Sequence, residues 1–393
     1  MMDSLYIAWK YLTYNKVKTA TLVACIVLIA FLPMALELLL DESERQLLSR
    51  AASTPLVIGA RGSALDLVMN TVYFGDEVPE IITMSAAERV YESGLAMPIP
   101  TYARFRARKH PIVGTTLDYF DFRGLELREG DPLTMLGDCV LGATVADRLD
   151  LNVGDSIISS PENLFDLAGV YPLKMKIVGI LEKSHTSDDL AVFVDLKTTY
   201  IIQGLVHGHT DLWEVKDPTL ILKKDGKNVT GSPKVYEYTE ITEENIEEFH
   251  YHGDPSTAPI TAVIAIPFDE KSGTILRGRF LGSEEAYQIV KPEEVIDTLL
   301  ASIFRIKNVL DAVIVVVGLG TVIAIVLVFA LSLRLRQREI DTVFKIGCRQ
   351  MTIARLIAAE IDIIVAASAL ICLVLLAFVS HYDDSLVRTL FIR

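Results

Sequence analysis

The chain has 393 residues, is 51% hydrophobic and has a formal net charge of −14. That length accommodates more than one domain, and the acidic balance argues against nucleic acid as a partner. The mean hydropathy of +0.38 is not spread evenly but concentrated in three long apolar runs.

In chain order, residues 1–18 read as a cytoplasmic interfacial helix. Leu5, Ala8, Trp9 and Leu12 recur at helical spacing, with tyrosines and lysines beside them, as expected at the headgroup level. Residues 19–40 form the first apolar run, broken only by Pro33 and Glu37. It is long for a secretory leader, and LLLDESERQ follows in place of a small-residue cleavage site, so it reads as an anchor. The uncharged run 312–331 places a second span over 308–332, and the run 363–379 a third over 358–380, since a bilayer core needs about 20 helical apolar residues. Basic residues flank the first span (Lys10, Lys16, Lys18) and fill the loop between the second and third (Arg334, Arg336, Arg338, Lys345, Arg349, Arg355). Basic short loops stay in the cytoplasm, which puts residues 41–305 outside and leaves 381–393 as a short outer tail. Residues 41–332 contain 26 Lys and Arg against 43 Asp and Glu, so the acid is extracytoplasmic. The expected fold is therefore an α-helical transmembrane protein with three spans and a large α+β extracytoplasmic domain between spans one and two.

Of four cysteines only Cys139 falls in the outer domain, so that domain depends on an ordinary core and not on disulfides. Amphipathic stretches at 65–74 and 85–93 predict helices there. In CVLGATVADRLDLNVGDSI (139–157) a short strand leads into a helix with Val145, Leu149 and Leu151 inward, then a turn at Asn152–Asp155. Strands are predicted at 174–181, 190–196, 219–223 and 261–266. The alternation Met175, Ile177, Gly179, Leu181 fits one buried sheet face. Pro292, followed by two glutamates, opens a stalk helix that continues into the second span.

The chain contains no HExxH, GxSxG, CxxC or GxxxxGK[ST] pattern, so it is read as a non-enzyme, and any ATP-driven function needs a separate ATPase. In the inner loop 333–357, Ile340, Val343, Phe344, Gly347 and Met351 form one apolar helical face, ringed by Arg338, Asp341, Lys345 and Arg349. Gly347 is placed to end that helix, and a second one starts near Arg349. Such a helix docks in a groove on a soluble partner or lies on lipid; its acids and its central glycine favour docking.

Four segments together resemble the MacB/FtsX/LolC-type permeases of ABC transporters. The inner loop resembles the family's RREIGIL-x-x-x-GASRRQI pattern through Arg338, Glu339, Ile340, Gly347, Arg349 and Gln350, with Glu360 thirteen residues beyond the glycine. AWKYLTYNKVKT (8–19), VLGATVADRLDLNVGDSI and KIVGILEKSHTSDDLAVFVDL (176–196) resemble the family's entry helix, its "vGD" element and its paired strands. The resemblance covers most of the chain except 198–290. It implies a mechanism in which the permease dimer, a homodimer by expectation, holds two cytoplasmic ATPase subunits that bind ATP-Mg. Their closure rocks the helices, and a stalk passes the motion to the periplasmic domain. It implies a multi-pass protein of the bacterial inner membrane and an ATPase-coupling role for Arg338, Glu339, Ile340, Val343, Phe344, Gly347 and Arg349. The family pattern has a fourth span, which 381–393 is too short to supply, so three spans are expected here. An FtsX-like alternative implies signalling to a periplasmic enzyme without cargo movement.

Two weaker features remain. His207 with His209 and His250 with His252 flank an acidic run; the favoured reading is a solvated acidic loop with scattered histidines, the alternative a zinc site, since imidazole with carboxylate suits zinc. The stretch 57–74 is read first as the first strand and helix of the outer domain, and alternatively, through Arg61, Leu65, Leu67 and Tyr73, as a candidate surface for cargo or a periplasmic adaptor.

Overall fold

The computed structural model of the chain describes residues 2–160, 172–207, 221–225, 228–231, 239–251, 254–280, 282, 286–335, 337, 345 and 350–391. They divide into two compact units, Met1–Arg45 with Leu300–Phe391, and Gln46–Leu299.

The chain enters through helices α1 (Met2–Tyr14) and α2 (Lys16–Ala52). Strand β1 (Leu56–Ala60), helix α3 (Ala64–Tyr73), β2 (Ile82–Thr83), α4 (Ser85–Glu92) and β3 (Ala96–Thr101) follow. Next come β4 (Arg106–Ala107), β5 (His110–Thr115), α5 (Asp118–Arg123), β6 (Leu127–Gly130), β7 (Asp138–Leu141), α6 (Ala143–Leu149) and β8 (Ser156–Ile158). Then β9 (Lys174–Leu181), β10 (Val192–Asp195), α7 (Leu196–Ile202), β11 (Val206–His207), β12 (Ile221–Asp225), β13 (Asn228–Gly231) and β14 (His250–Tyr251). The chain closes with β15 (Pro259–Ile260), β16 (Ala262–Pro267), α8 (Glu270–Arg279), β17 (Tyr287–Val290), α9 (Pro292–Leu335) and α10 (Gln350–Phe391).

In the first unit three helices are long and apolar enough to cross a membrane, within Lys16–Ala52, Asp311–Val328 and Met351–Ser380. Their apolar side chains point outward, as a lipid-facing surface requires. α1 packs on α10, burying Ala8 and Leu12, and Leu12 clusters with Leu22 and Ile364. The predicted helix over the first eighteen residues is thus two, α1 and the start of α2. Glu360 is buried on α10, beside Ala359.

α2 does not stop where its apolar run ends. DESERQLLSRAA contains good helix formers and no breaker, so the helix continues to Ala52. α10 likewise continues as helix through 381–391, the stretch read as a short tail. α9 confirms the stalk: one helix from Pro292 through the second span, with Glu293 and Glu294 in its first turn.

The second unit is α+β, with its strands in two main sheets. The smaller, in the order β17-β1-β16-β3, is antiparallel throughout. β1 is buried along its whole length, which explains its unbroken apolar sequence LVIGA. β3 escapes the sequence reading because it holds Pro98 and Pro100; a sheet-end position tolerates their missing donors. The larger sheet, β4-β5-β10-β7-β9-β6 with β8 beside β9, is mixed: β5–β10 and β7–β9 run parallel. The β7–α6 element is the predicted strand-to-helix segment, with Val145 buried and Leu149 and Leu151 packed against the core. The β9 alternation holds too, with Met175, Ile177, Gly179 and Leu181 all buried. The strands expected at 219–223 and 261–266 are present as β12 and β16, residues 219 and 220 lying outside the described residues.

Candidate functional site

The predicted coupling residues Arg338, Glu339, Ile340, Val343, Phe344, Gly347 and Arg349 lie outside the described residues. The second helix expected from about Arg349 is present as α10, starting at Gln350.

The candidate cargo surface is largely corrected. Leu67 and Tyr73 are core residues, 0% and 6% exposed, and cannot meet a partner. Leu67 fills the space above Gly59, where a Cβ would fall on its side chain, so the glycine of VIGA is there for helix–strand approach. Arg61 is exposed and donates from Nη2 to the Gly282 carbonyl at 2.7 Å; Leu65 is half-buried. Of the four histidines, His209 and His252 lie outside the described residues, while the antiparallel register of β11 and β14 sets His207 opposite His250. Among the described residues no group of three or more His, Cys, Asp or Glu is arranged to hold a metal ion.

The most developed polar site within the outer unit is one that sequence reasoning missed. Arg50, in the last turn of α2, is 7% exposed and inserts its guanidinium between three elements. Nη1 and Nη2 donate to the two carboxylate oxygens of Asp188 at 2.6 and 2.9 Å, a bidentate fork. Nε donates to the Val72 carbonyl at the end of α3 at 2.6 Å. Nη2 also reaches the Tyr119 hydroxyl of α5 at 3.2 Å, and that hydroxyl in turn donates to Asp188 at 2.8 Å. Thr186 Oγ1 donates to the same carboxylate at 2.9 Å. Around this centre Tyr73 donates to the Leu47 carbonyl at 2.5 Å, and Arg123 to Thr54 Oγ1 at 2.9 Å. Phe193 of β10 stacks edge-on with Phe74 and Phe120, which closes the site to water.

Burial alone would raise the Asp188 carboxyl; the Arg50 charge and its hydrogen bonds overcome that and hold it below its ordinary value. The Tyr119 hydroxyl is pushed up to about 12, by burial first and by the Asp188 charge next. At neutral pH the site is therefore an arginine–carboxylate ion pair bridged by a neutral tyrosine.

Asp188 sits in a tight 3-10 turn, Ser187–Leu190. Asp189 ties the turn back to the amides of Ser184 and His185 at 2.8 and 2.9 Å. Gly142, ahead of α6, lets the turn approach: a Cβ there would fall on the Asp188 carbonyl oxygen. Two of the segments noted in the sequence, VLGATVADRLDL and KIVGILEKSHTSDDLAVFVDL, thus meet at this site. The sequence signal for Arg50 itself was faint, a lone basic residue in LLSRAAS whose partner is 138 positions away.

Comparison with known proteins decides the family. The model of the MacB-like periplasmic core domain matches residues 22–230, more than half of the chain. The chain belongs to the MacB-like family. This is the family whose resemblance was noted in the four sequence segments, that of ABC transporter permeases, and the MacB-like match covers α2 from residue 22 on and the residues of the Arg50 site. Solved structures that are similar include the periplasmic region of MacB from Actinobacillus actinomycetemcomitans, at 12% identity and TM-score 0.33, covering 63% of this chain and 92% of that one. Another is the extracellular domain of the noncanonic ABC-type transporter YknZ from Gram-positive bacteria, at 11% identity and TM-score 0.33, covering 60% and 98%. A third is a domain of a putative permease protein from Porphyromonas gingivalis, at 14% identity and TM-score 0.26, covering 60% and 87%. No curated protein sequence matches.

Proposed function

We propose that this MacB-like chain is the permease subunit of a mechanotransmitting ABC transporter in a bacterial inner membrane. A dimer of it would hold two cytoplasmic ATPases, and their ATP cycle would move the outer domain to move or release a substrate outside the membrane. The observation that supports this is the length of α2 and α9, 37 and 44 residues. At 1.5 Å per residue such helices are roughly 55 and 65 Å long, about twice the 30 Å hydrocarbon core. Each therefore extends well beyond its span as one piece, which is what a lever needs.

Co-purification tests the reading. The tagged chain, extracted gently in detergent, is expected to bring down a Walker-type ATPase, and Phe344→Asp or Gly347→Trp to abolish that capture. Absence of any ATPase with wild type overturns it. If a soluble periplasmic hydrolase is captured as well and its activity follows the ATP cycle, the FtsX-like signalling alternative replaces cargo movement.

A metal-linked role rests on the single observation that His207 stands opposite His250. Titration calorimetry with zinc chloride on the full chain tests it. Saturable binding that is lost in His207→Ala with His250→Ala supports the role, and no binding heat removes it.

A further inference from the structure

We infer that Arg50 is the positioning residue through which α2 drives the outer domain. Its fork on Asp188 is the mechanical joint between a membrane-borne helix and the two sheets it moves. The inference rests on the mechanotransmission reading above.

The argument starts from the chain. α2 ends at Ala52, and only Ser53, Thr54 and Pro55 connect it to β1. That connection is short and tied down: Ser53 and Thr54 bond back to the last turn of α2, and Arg123 of α5 donates to both hydroxyls. Arg50 carries the tie further into the unit. One planar guanidinium donates in three directions: to α3 at Val72, to α5 at Tyr119 and to the 3-10 turn at Asp188. α3 lies over the smaller sheet through Leu67 and Gly59, whereas Asp188 leads into β10 at the centre of the larger one. Rotation of the last turn of α2 is therefore imposed on both main sheets at once.

The chemistry suits that task better than apolar packing would. Dispersion contacts are non-directional and tolerate sliding. A bidentate arginine–carboxylate pair fixes orientation as well as distance, and water-free surroundings strengthen it. Burial also distinguishes this joint from the other ion pairs of the unit. Arg277–Glu294, at the start of α9, has side chains 43% and 55% exposed, in the range where water and salt weaken a pair. The Asp188 and Arg50 side chains are 1% and 6% exposed. The two helices that continue into spans thus enter the outer unit differently: α2 is clamped by a buried directional bond, α9 is held by an exposed pair and by Ile296 in the core.

The test uses the full chain with its ATPase in lipid nanodiscs. A spin label is introduced as an unnatural amino acid at the exposed Tyr91 of α4, and the distance between labels in the two permease copies is read with and without vanadate-trapped ATP. ATP turnover and the thermal unfolding midpoint are measured on the same samples. Wild type is expected to show an ATP-dependent distance shift. Arg50→Met with Asp188→Leu replaces the pair by apolar side chains, which keeps a fold of this kind stable. It is expected to lose the shift while turnover and midpoint are retained. Arg50→Lys, which keeps the charge but loses the fork, is expected to show a reduced shift. Tyr119→Phe keeps the ion pair and deletes one bond, and is likewise expected to reduce the shift should the double variant fail to fold. A full shift in any folded variant of the pair overturns the joint. A wild-type complex with no shift overturns the mechanotransmission reading, and the joint with it.

Discussion

In the first unit the large aliphatic side chains face outward: Val315 and Val316 on α9 are 69% and 70% exposed. In the outer unit the same residue type faces inward: Val192 and Val194 on β10 are completely buried around Phe193. Polar groups are arranged the opposite way. The outer unit buries an ion pair, Arg50 with Asp188, at its centre, whereas the first unit sets Lys307 3.4 Å from a largely exposed Glu37. The difference teaches which solvent each unit is built for. Lipid leaves apolar surface where it is and supplies no driving force between helices, so α2, α9 and α10 are defined by hydropathy alone. Water drives apolar surface inward and makes any polar group left there depend on a matched partner.

That contrast can be broken most severely at the buried pair. Arg50→Ala leaves the Asp188 carboxylate in the core without its cation and is expected to destabilise the outer unit by about 3–5 kcal/mol, read by denaturant unfolding of the detergent-solubilised chain. The pair also sets an acid limit. Asp188 is depressed in the folded state, so its contribution is complete above the unfolded carboxylate value of about 3.9 and is lost as pH falls through the lower folded one. Asp188→Asn is expected to flatten the pH dependence of the unfolding midpoint in that acid window; an unchanged slope would contradict the ionised pair.

In the membrane-facing helix the rule inverts. Val316→Asp places a carboxylate on an exposed apolar face of α9 and is expected to oppose insertion by roughly 2.5–3.5 kcal/mol, measured as loss of the spanning fraction in a glycosylation-mapping assay. A third change probes packing alone. Gly142→Ala pushes a methyl onto the turn that presents Asp188 and is expected to cost about 1–3 kcal/mol, with calorimetric melting as the readout. The mildest is Lys174→Ala. Its 2.8 Å pair with Glu240 is 44% exposed on both sides, so the loss is expected to stay under about 1 kcal/mol and to vanish in high salt.

Legibility followed the same division. The three long apolar helices, the helix opening at Pro292 and the β7–α6 element were all readable, because each is a local pattern of hydropathy or period. β3 was not, because two prolines argue against a strand until its place at the end of the sheet is known. Nor was the helical continuation of α2 beyond Leu40, where apolar content ends but propensity does not. The 57–74 stretch was half readable: it was rightly a strand and a helix, but its Leu67 and Tyr73 turned out to be core and not surface. Arg50 was missed because nothing within a helical turn of it marks its role.

What the sequence by itself determined is three runs long and apolar enough to cross a membrane and the resemblance to the family, because hydropathy and motif spacing are properties of short stretches. Only the tertiary structure decided that residue 50 and residue 188 form one buried ion pair, that Gly142 makes room for it, and that His207 and His250 pair in register between two strands. Each depends on which distant segments the sheets bring together, and pairing of that kind is set by the packing of the whole core rather than by any local pattern.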